Sequence, residues 1–234
     1  MKHFIIGHRG CVYEPENTLL SIKKAIELGV DGVEIDVRRC RSGEIVVIHD
    51  EKVDRTTNGK GYVKDFSLKY LKKLDAGKGE KIPTLEESIN FVKKINNKNN
   101  KQIKLIIETK EKGLESDVVK LIEKHNFIDN VIVISSINKK YKKLNKKINA
   151  GILFVGNPAN VASLAKDSNA NFLFPRFDFV DSDLVNNAHK NNIKVFVWNI
   201  DDVENLGKMM RLKVNGIASN KPDVVVKYFK SQKS

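Results

Sequence analysis

Residues 32–49, Gly-Val-Glu-Ile-Asp-Val-Arg-Arg-Cys-Arg-Ser-Gly-Glu-Ile-Val-Val-Ile-His, decide the fold of this 234-residue chain. Two runs within it, 32–38 and 45–49, read as strands, and only residues 39–44 join them. Parallel neighbours need a crossover of about a dozen residues or more, so the second run must fold back antiparallel through a turn at Ser42-Gly43. Seven other short apolar runs also read as strands: 4–7, 103–109, 131–135, 150–154, 171–174, 193–198 and 216–219. With the folded-back strand set aside, eight remain, and helical patterns separate most of them. That alternation predicts an α/β chain with a parallel sheet, and eight strands fit a closed (β/α)8 barrel. A β-hairpin and a small insertion follow its second strand.

The helical patterns lie near 18–28, 84–96, 115–125, 138–146, 158–167, 181–190 and 202–211. The first puts Leu19, Ile22 and Ile26 on one face and stops at Gly29. The second opens with Thr84-Leu85-Glu86-Glu87, a capping box in which Thr84 is the N-cap and Glu87 reaches back. Residues 51–80 carry neither a clear helix nor a long strand, and include Thr57-Asn58-Gly59-Lys60-Gly61. Long irregular segments inside compact domains are usually functional or disordered. Placed directly after His49, this one reads as a cap over a site. No linker, repeat or low-complexity tract breaks the chain, so residues 1–234 are expected to form one domain. The stretch 96–102 reads as a surface loop, and the tail from Lys230 is expected to fray.

Composition narrows the possibilities. The chain has 41% hydrophobic residues, enough for a substantial core. Its 42 basic and 29 acidic residues give +13, a balance that attracts anions of every kind. The lysines are scattered or lie in solvated stretches such as 139–147, with no aromatic interleaving of the sort single-strand binders use. No nucleic-acid partner is therefore expected. Cys11 and Cys40 are the only cysteines, too few for a disulfide framework, and are expected to be reduced. The chain enters its first strand at once and holds no apolar run near the roughly 20 residues of a membrane span. A cytoplasmic protein is expected; nothing in the sequence sets the oligomeric state.

Polar groups gather at the ends of these strands, where an α/β scaffold presents chemistry. His8-Arg9-Gly10 follows Phe4–Gly7, Glu34 and Asp36 alternate within 32–38, and His49-Asp50 closes 45–49. Side chains alternate along a strand, so Glu34 and Asp36 share one face. Periodicity alone would equally allow a solvated sheet face. With Val33, Ile35 and Val37 facing helices, however, the two carboxylates point into the barrel mouth. Strand 103–109 repeats the spacing with Glu108 and Lys110, while Leu105 and Ile107 face outward. Three inward carboxylates need a cation, and an all-oxygen set of Glu34, Asp36 and Glu108 favours Mg2+ or Ca2+. Lys110 and Arg9 supply positive charge for a phosphoryl oxygen. Trp198, ending 193–198, offers either a flat apolar wall or plain core packing. Together these groups suit a metal-assisted hydrolase acting on a phosphodiester.

The chain resembles the glycerophosphodiester phosphodiesterases. The matching strings are His8-Arg9-Gly10, Pro15-Glu16-Asn17-Thr18, Glu34-Ile35-Asp36, His49-Asp50, Asp54-Arg55-Thr56-Thr57-Asn58-Gly59, Ile82-Pro83-Thr84-Leu85-Glu86, Glu108-Thr109-Lys110, Trp198-Asn199 and Ser219-Asn220-Lys221-Pro222. Their order covers nearly the whole chain. The resemblance implies a TIM barrel with a small insertion, a divalent metal on Glu34, Asp36 and Glu108, and a catalytic pair His8 and His49. It implies hydrolysis of a small-molecule glycerophosphodiester to glycerol phosphate and an alcohol, with the glycerol's own hydroxyl attacking first to give a cyclic phosphate. Three motifs depart from the family pattern. Ser219-Asn220 stands where Thr-Asp is common, Ser136-Ile137 where Ser-Phe is frequent, and Cys11 where a small Ala is usual. Two rival readings are a lysophospholipase D or sphingomyelinase-D-like enzyme acting on lipids, and a non-catalytic nucleic-acid-binding or scaffold protein.

Overall fold

The computed structural model describes residues 3–99, 102–136, 143 and 145–232. The strands are β1 (Phe4–Gly7), β2 (Gly32–Arg39), β3 (Ile45–Val47), β4 (Lys104–Thr109), β5 (Val131–Ser135), β6 (Asn149–Phe154), β7 (Phe172–Pro175), β8 (Lys194–Val197) and β9 (Gly216–Ser219). They lie in the order β1-β9-β8-β7-β6-β5-β4-β2-β3, and a further β1–β2 pairing closes the ring. Every pairing is parallel except β2 with β3, so the closed (β/α)8 barrel and its antiparallel hairpin are both present.

The hairpin works because β2 outruns β1. The lower part of β2 pairs with β1 through Ile6–Gly32 and Gly7–Val33, where β1 ends. Above that point β3 takes over, with Val37 facing Val47 and Arg39 facing Ile45. The Ile48 amide then donates to Asp36 O at 2.9 Å, continuing the ladder downward. His8 rising from β1 and His49 descending from β3 thus approach from opposite directions along one edge of β2.

Between the strands run α1 (Leu19–Leu28), α2 (Leu68–Leu71), α3 (Leu85–Asn99), α4 (Glu115–Lys124), α5 (Val161–Asp167), α6 (Ser182–Lys190), α7 (Val203–Arg211) and α8 (Pro222–Ser231). Thr18 caps α1 by accepting from the Ser21 amide, and Gly29 ends it in the left-handed region at φ 99°. The capping box at α3 is formed: Thr84 N donates to Glu87 Oε2 at 2.8 Å, and Glu87 N to Thr84 Oγ1 at 3.1 Å. Two expectations need correction. Residues 96–99 extend α3 rather than forming loop, because Asn96 is buried and ties both backbone groups of Ile103 to the helix. The C-terminal segment forms α8 as far as Ser231 instead of fraying from Lys230. Pro222 at its first turn and the buried Val225 anchor it, and Phe229 stacks on His3. The helical pattern near 138–146, like Ile137, falls largely outside the described residues.

Strand periodicity divides the core into three. Val33, Ile35, Val37, Leu105 and Ile107 face the helices in the largest cluster. Ile6, Ile106, Ile132, Ile134, Phe172, Phe174, Phe196 and Ala218 fill the barrel interior. A third cluster joins Val46 and Ile48 of the hairpin to Val53, Val63, Leu71 and Leu74 of the insertion. The insertion therefore packs beside the barrel on an apolar base of its own.

Candidate active site

Strand alternation delivers the chemistry to the barrel's C-terminal end. Glu34, Asp36 and Glu108 are all buried, and each offers an oxygen within 4.8 Å of the others. Asp36 and Glu108 are cross-strand neighbours in the parallel register of β2 and β4. Lys110 Nζ lies 2.9 Å from Asp36 Oδ1 and 2.6 Å from Glu108 Oε1. Arg9 Nε lies 3.2 Å from Asp36 Oδ2. Asn17 holds Asp36 from both sides, donating through Nδ2 to Oδ2 at 2.8 Å and accepting from the Asp36 amide at 3.1 Å.

The loop after β1 reaches this cluster through an unusual backbone. Arg9 and Gly10 both adopt positive φ, 49° and 87°. The turn aims the Arg9 amide at Glu34 Oε2, 2.9 Å away. Only glycine fits at position 10, where a Cβ would stand 2.1 Å from Ser21 Oγ.

Charge arithmetic shows what the cluster lacks. Three carboxylates face two cations, Arg9 and Lys110, leaving one negative charge without compensation. Burial, with Asp36 and Glu108 beside it, pushes the Glu34 carboxyl well above its ordinary value. Burial also raises Glu108. For Asp36 burial acts upward too, but Lys110 and Arg9 outweigh it and hold the carboxyl low. Glu34 Oε1 is buried with no hydrogen-bond partner among the described residues. An all-oxygen set, one charge in excess and one oxygen bare, fits a hard divalent cation.

The two histidines flank the carboxylates on different supports. His8 Nδ1 lies 2.7 Å from Asn220 Oδ1, and its Nε2 is 3.9 Å from Glu34 Oε2. Burial and the nearby Arg9 charge lower its pKa to about 4, so the ring is neutral at neutral pH. His49 Nδ1 instead meets a carboxylate, Asp50 Oδ1, at 2.6 Å. Burial lowers His49 as well. Arg55 of the insertion bridges Asp50 and Glu16, with contacts of 2.7 Å to each. Glu16 also receives Arg9 Nη1 at 3.1 Å, so one chain of ion pairs links the insertion to both sides of the site.

His8, Arg9, Glu34, His49, Glu108, Lys110 and Trp198 line one pocket of about 120 Å³. Asp36 lies beneath it, fully buried. The opposite wall is apolar: Ile134, Leu153, Phe174 and Ala218. Trp198 packs on the barrel interior, lines the pocket, and donates Nε1–H to Phe174 O at 2.7 Å. The structure thus brings every expected site residue together. The sequence reading met Asn17, Asp50, Arg55 and Asn220 only inside motif strings, without roles. It did not single out Asp201, which accepts from Asn220 Nδ2 at 2.7 Å and whose only signal is a polar residue in the loop after a barrel strand. Cys11 and Cys40 are both free, and both are buried. Among the described residues no helix is long and apolar enough to cross a membrane.

Comparison with known proteins agrees with this geometry. A profile of the glycerophosphoryl diester phosphodiesterase family matches residues 8–224. A glycerophosphodiester phosphodiesterase of Caldanaerobacter subterraneus subsp. tengcongensis is 38% identical over 97% of each chain. A phosphodiesterase from Oleispira antarctica, solved with the product sn-glycerol-3-phosphate, superposes with a TM-score of 0.86 at 26% identity, over 99% of this chain and 97% of that one. A glycerophosphodiester phosphodiesterase from Thermotoga maritima gives a TM-score of 0.80 at 25% identity, over 97% and 99%.

Proposed function

Because this chain belongs to the glycerophosphoryl diester phosphodiesterase family and shares its hydrolytic activity, we propose that it cleaves small glycerophosphodiesters with a divalent cation and the histidine pair His8 and His49. The observation that carries this reading is the one pocket in which both imidazoles and two cationic side chains meet Glu34 and Glu108, with Asp36 buried beneath them in the same carboxylate cluster. Glu34, Asp36 and Glu108 would hold Mg2+ or Ca2+. Such an ion supplies Lewis acidity and a template for the phosphate and a sugar-alcohol oxygen. Lys110 and Arg9 bind the phosphoryl oxygens and offset the charge that gathers there. Trp198 and Phe174 wall the other side of the substrate.

The glycerol's vicinal hydroxyl is held beside phosphorus, where proximity gives it a high effective molarity. One histidine takes that hydroxyl's proton while the other protonates the leaving alcohol, giving a cyclic phosphate and the free alcohol. Water then opens the ring with the two roles exchanged, leaving glycerol phosphate. The product held by the Oleispira antarctica enzyme supports this substrate class. The 51–80 insertion caps the His49 side through Arg55, within a single domain spanning the chain. Two reduced, buried thiols accord with a cytoplasmic setting. Neither the lipid-directed rival nor the nucleic-acid-binding rival is favoured, since the relatives compared above are glycerophosphodiester phosphodiesterases or a phosphodiesterase bound to glycerol phosphate.

Product formation from glycerophosphocholine tests the reading. Exhaustive chelation should abolish turnover and Mg2+ or Ca2+ restore it, while His8→Ala and His49→Ala each lower it by roughly 10²–10⁴-fold. The 2-deoxy analogue, lacking the vicinal hydroxyl, should bind and turn over far more slowly. Full activity in metal-free protein, or two unimpaired histidine variants, would overturn the assignment.

A further inference from the structure

Two amides compete for the same nitrogen of His8. Asn220 Oδ1 lies 2.7 Å from Nδ1, and Asn199 Nδ2 lies 3.2 Å from it. The two contacts exclude each other. An amide oxygen needs a proton on Nδ1, whereas an amide NH2 needs a bare Nδ1. The choice matters chemically, because a neutral ring carries one proton. If Nδ1 holds it, Nε2 faces the pocket as a base; if Nδ1 is bare, Nε2 faces the pocket as a donor.

Asp201, in the loop after β8, decides the competition. Its Oδ2 accepts from Asn220 Nδ2 at 2.7 Å, which leaves Asn220 only its oxygen to turn toward His8. The carboxylate itself is held fast. Its Oδ1 accepts from the Asn220 amide at 2.7 Å, Ser219 Oγ at 2.9 Å and the Lys221 amide at 3.3 Å. Asn199 has no comparable anchor for its own oxygen, which is buried without a partner among the described residues.

We propose that Asp201 is a positioning residue that, by orienting the Asn220 amide, fixes His8 in the Nδ1–H tautomer and turns its Nε2 lone pair into the pocket. This rests on the reading of His8 as half of the acid–base pair. With Asp201 in place, the ring meets substrate as a base before any proton has moved. Without that carboxylate, Asn220 is free to rotate, Asn199 becomes the partner of Nδ1, and the ring presents Nε2–H instead.

The test pairs a spectroscopic readout with a kinetic one. In protein carrying 15N-histidine, Asp201→Asn should move the His8 nitrogens from the Nδ1–H to the Nε2–H pattern. It should lower kcat on glycerophosphocholine by about 10–100-fold, the usual effect of losing the residue that orients a reactive group, with little change in KM. Asn220→Asp alone should also be impaired, because two carboxylates would then face each other. The exchange variant Asp201→Asn/Asn220→Asp keeps every donor matched to an acceptor: the new amide donates to the carboxylate at position 220, which accepts from Nδ1–H. It should recover both the native tautomer and most of kcat. A ring that remains Nδ1–H in Asp201→Asn, or an exchange variant that recovers neither signal, overturns the proposal and leaves Asp201 a clamp between two loops. His8→Ala assayed alongside separates the two levels. If it is fully active the acid–base reading falls, while the nitrogen pattern still decides what Asp201 does.

Discussion

The two sides of the barrel mouth are built on opposite principles. On the β1, β2 and β4 side, side chains that would be most stable in water are packed without it: Asp36 is fully buried, and Glu34 and Glu108 nearly so. On the β5 to β9 side, Ile134, Leu153, Phe174 and Ala218 line the same pocket as ordinary core residues. Phe174 and Phe196 pack edge to face, with centroids 5.5 Å apart. The apolar side stabilises the barrel and shapes a cavity. The charged side holds chemistry in place against the tendency of its own groups to repel.

Replacing residues on each side should separate activity from stability. The largest effect is expected from Glu108→Gln or Asp36→Asn, which should take turnover to background while the barrel stays folded by circular dichroism. Glycerophosphocholine hydrolysis at saturating metal measures it, and substantial turnover would mean the carboxylates hold no ion. Next comes Phe174→Ala on the apolar side. Truncating a buried phenylalanine costs about 3–5 kcal/mol, so denaturant unfolding should show a loss of that size. A loss under about 1 kcal/mol would show that the apolar wall is not part of the core.

A smaller and opposite effect is expected at Glu34. Its carboxyl stays protonated above its ordinary value of 4.5 because burial and the neighbouring acids disfavour the anion. The folded chain therefore keeps a proton that the unfolded chain releases. Stability of the metal-free protein should fall as pH rises from about 4.5 toward the folded value. Glu34→Gln should flatten that decline and raise Tm near neutral pH, at the expense of activity. Glu16 and Asp50 act with the reverse sign. At Glu16 burial acts upward but contacts from Arg55 and Arg9 outweigh it, and at Asp50 the hydrogen bond from Arg55 outweighs burial, so both carboxyls sit low. Their contribution is complete above their unfolded values and is lost as pH falls through the lowered folded ones. Arg55→Met should shrink this acid-side loss. The effect is the smallest of the set, since Arg55 and Asp50 are partly exposed and solvent screens them. Urea titrations of metal-free wild type and both variants, from about pH 4 to 8, resolve the two slopes.

The same contrast explains how much could be read from sequence. The barrel was legible because periodicity and loop length are local: residues 39–44 are too few for a crossover, and that alone separates β3 from the ring. The charged side was legible because its members end strands, so alternation predicts their direction. Asp201 was not. It acts through Asn220 on His8, a ring 193 positions away in sequence by their numbering, and no local pattern encodes that juxtaposition. Helix α8 was missed for a related reason. Its apolar face has a meaning only once β1 and β9 lie side by side to receive it.

His8 extends from a strand paired within the closed ring, whereas His49 follows a hairpin strand whose Val46 and Ile48 pack on the insertion while Ile45 and Val47 join the helix-facing cluster. Proteins open in cooperative units, and a small cluster at the side of a large one opens more readily than the whole. The two imidazoles then sit on parts of the chain with different opening free energies. Partial unfolding of the hairpin and insertion would remove His49, Asp50 and Arg55 together while leaving His8 and the carboxylates in an intact ring. Inactivation by heat or denaturant would then report the weaker unit and precede global unfolding, so that the enzyme is lost before the fold.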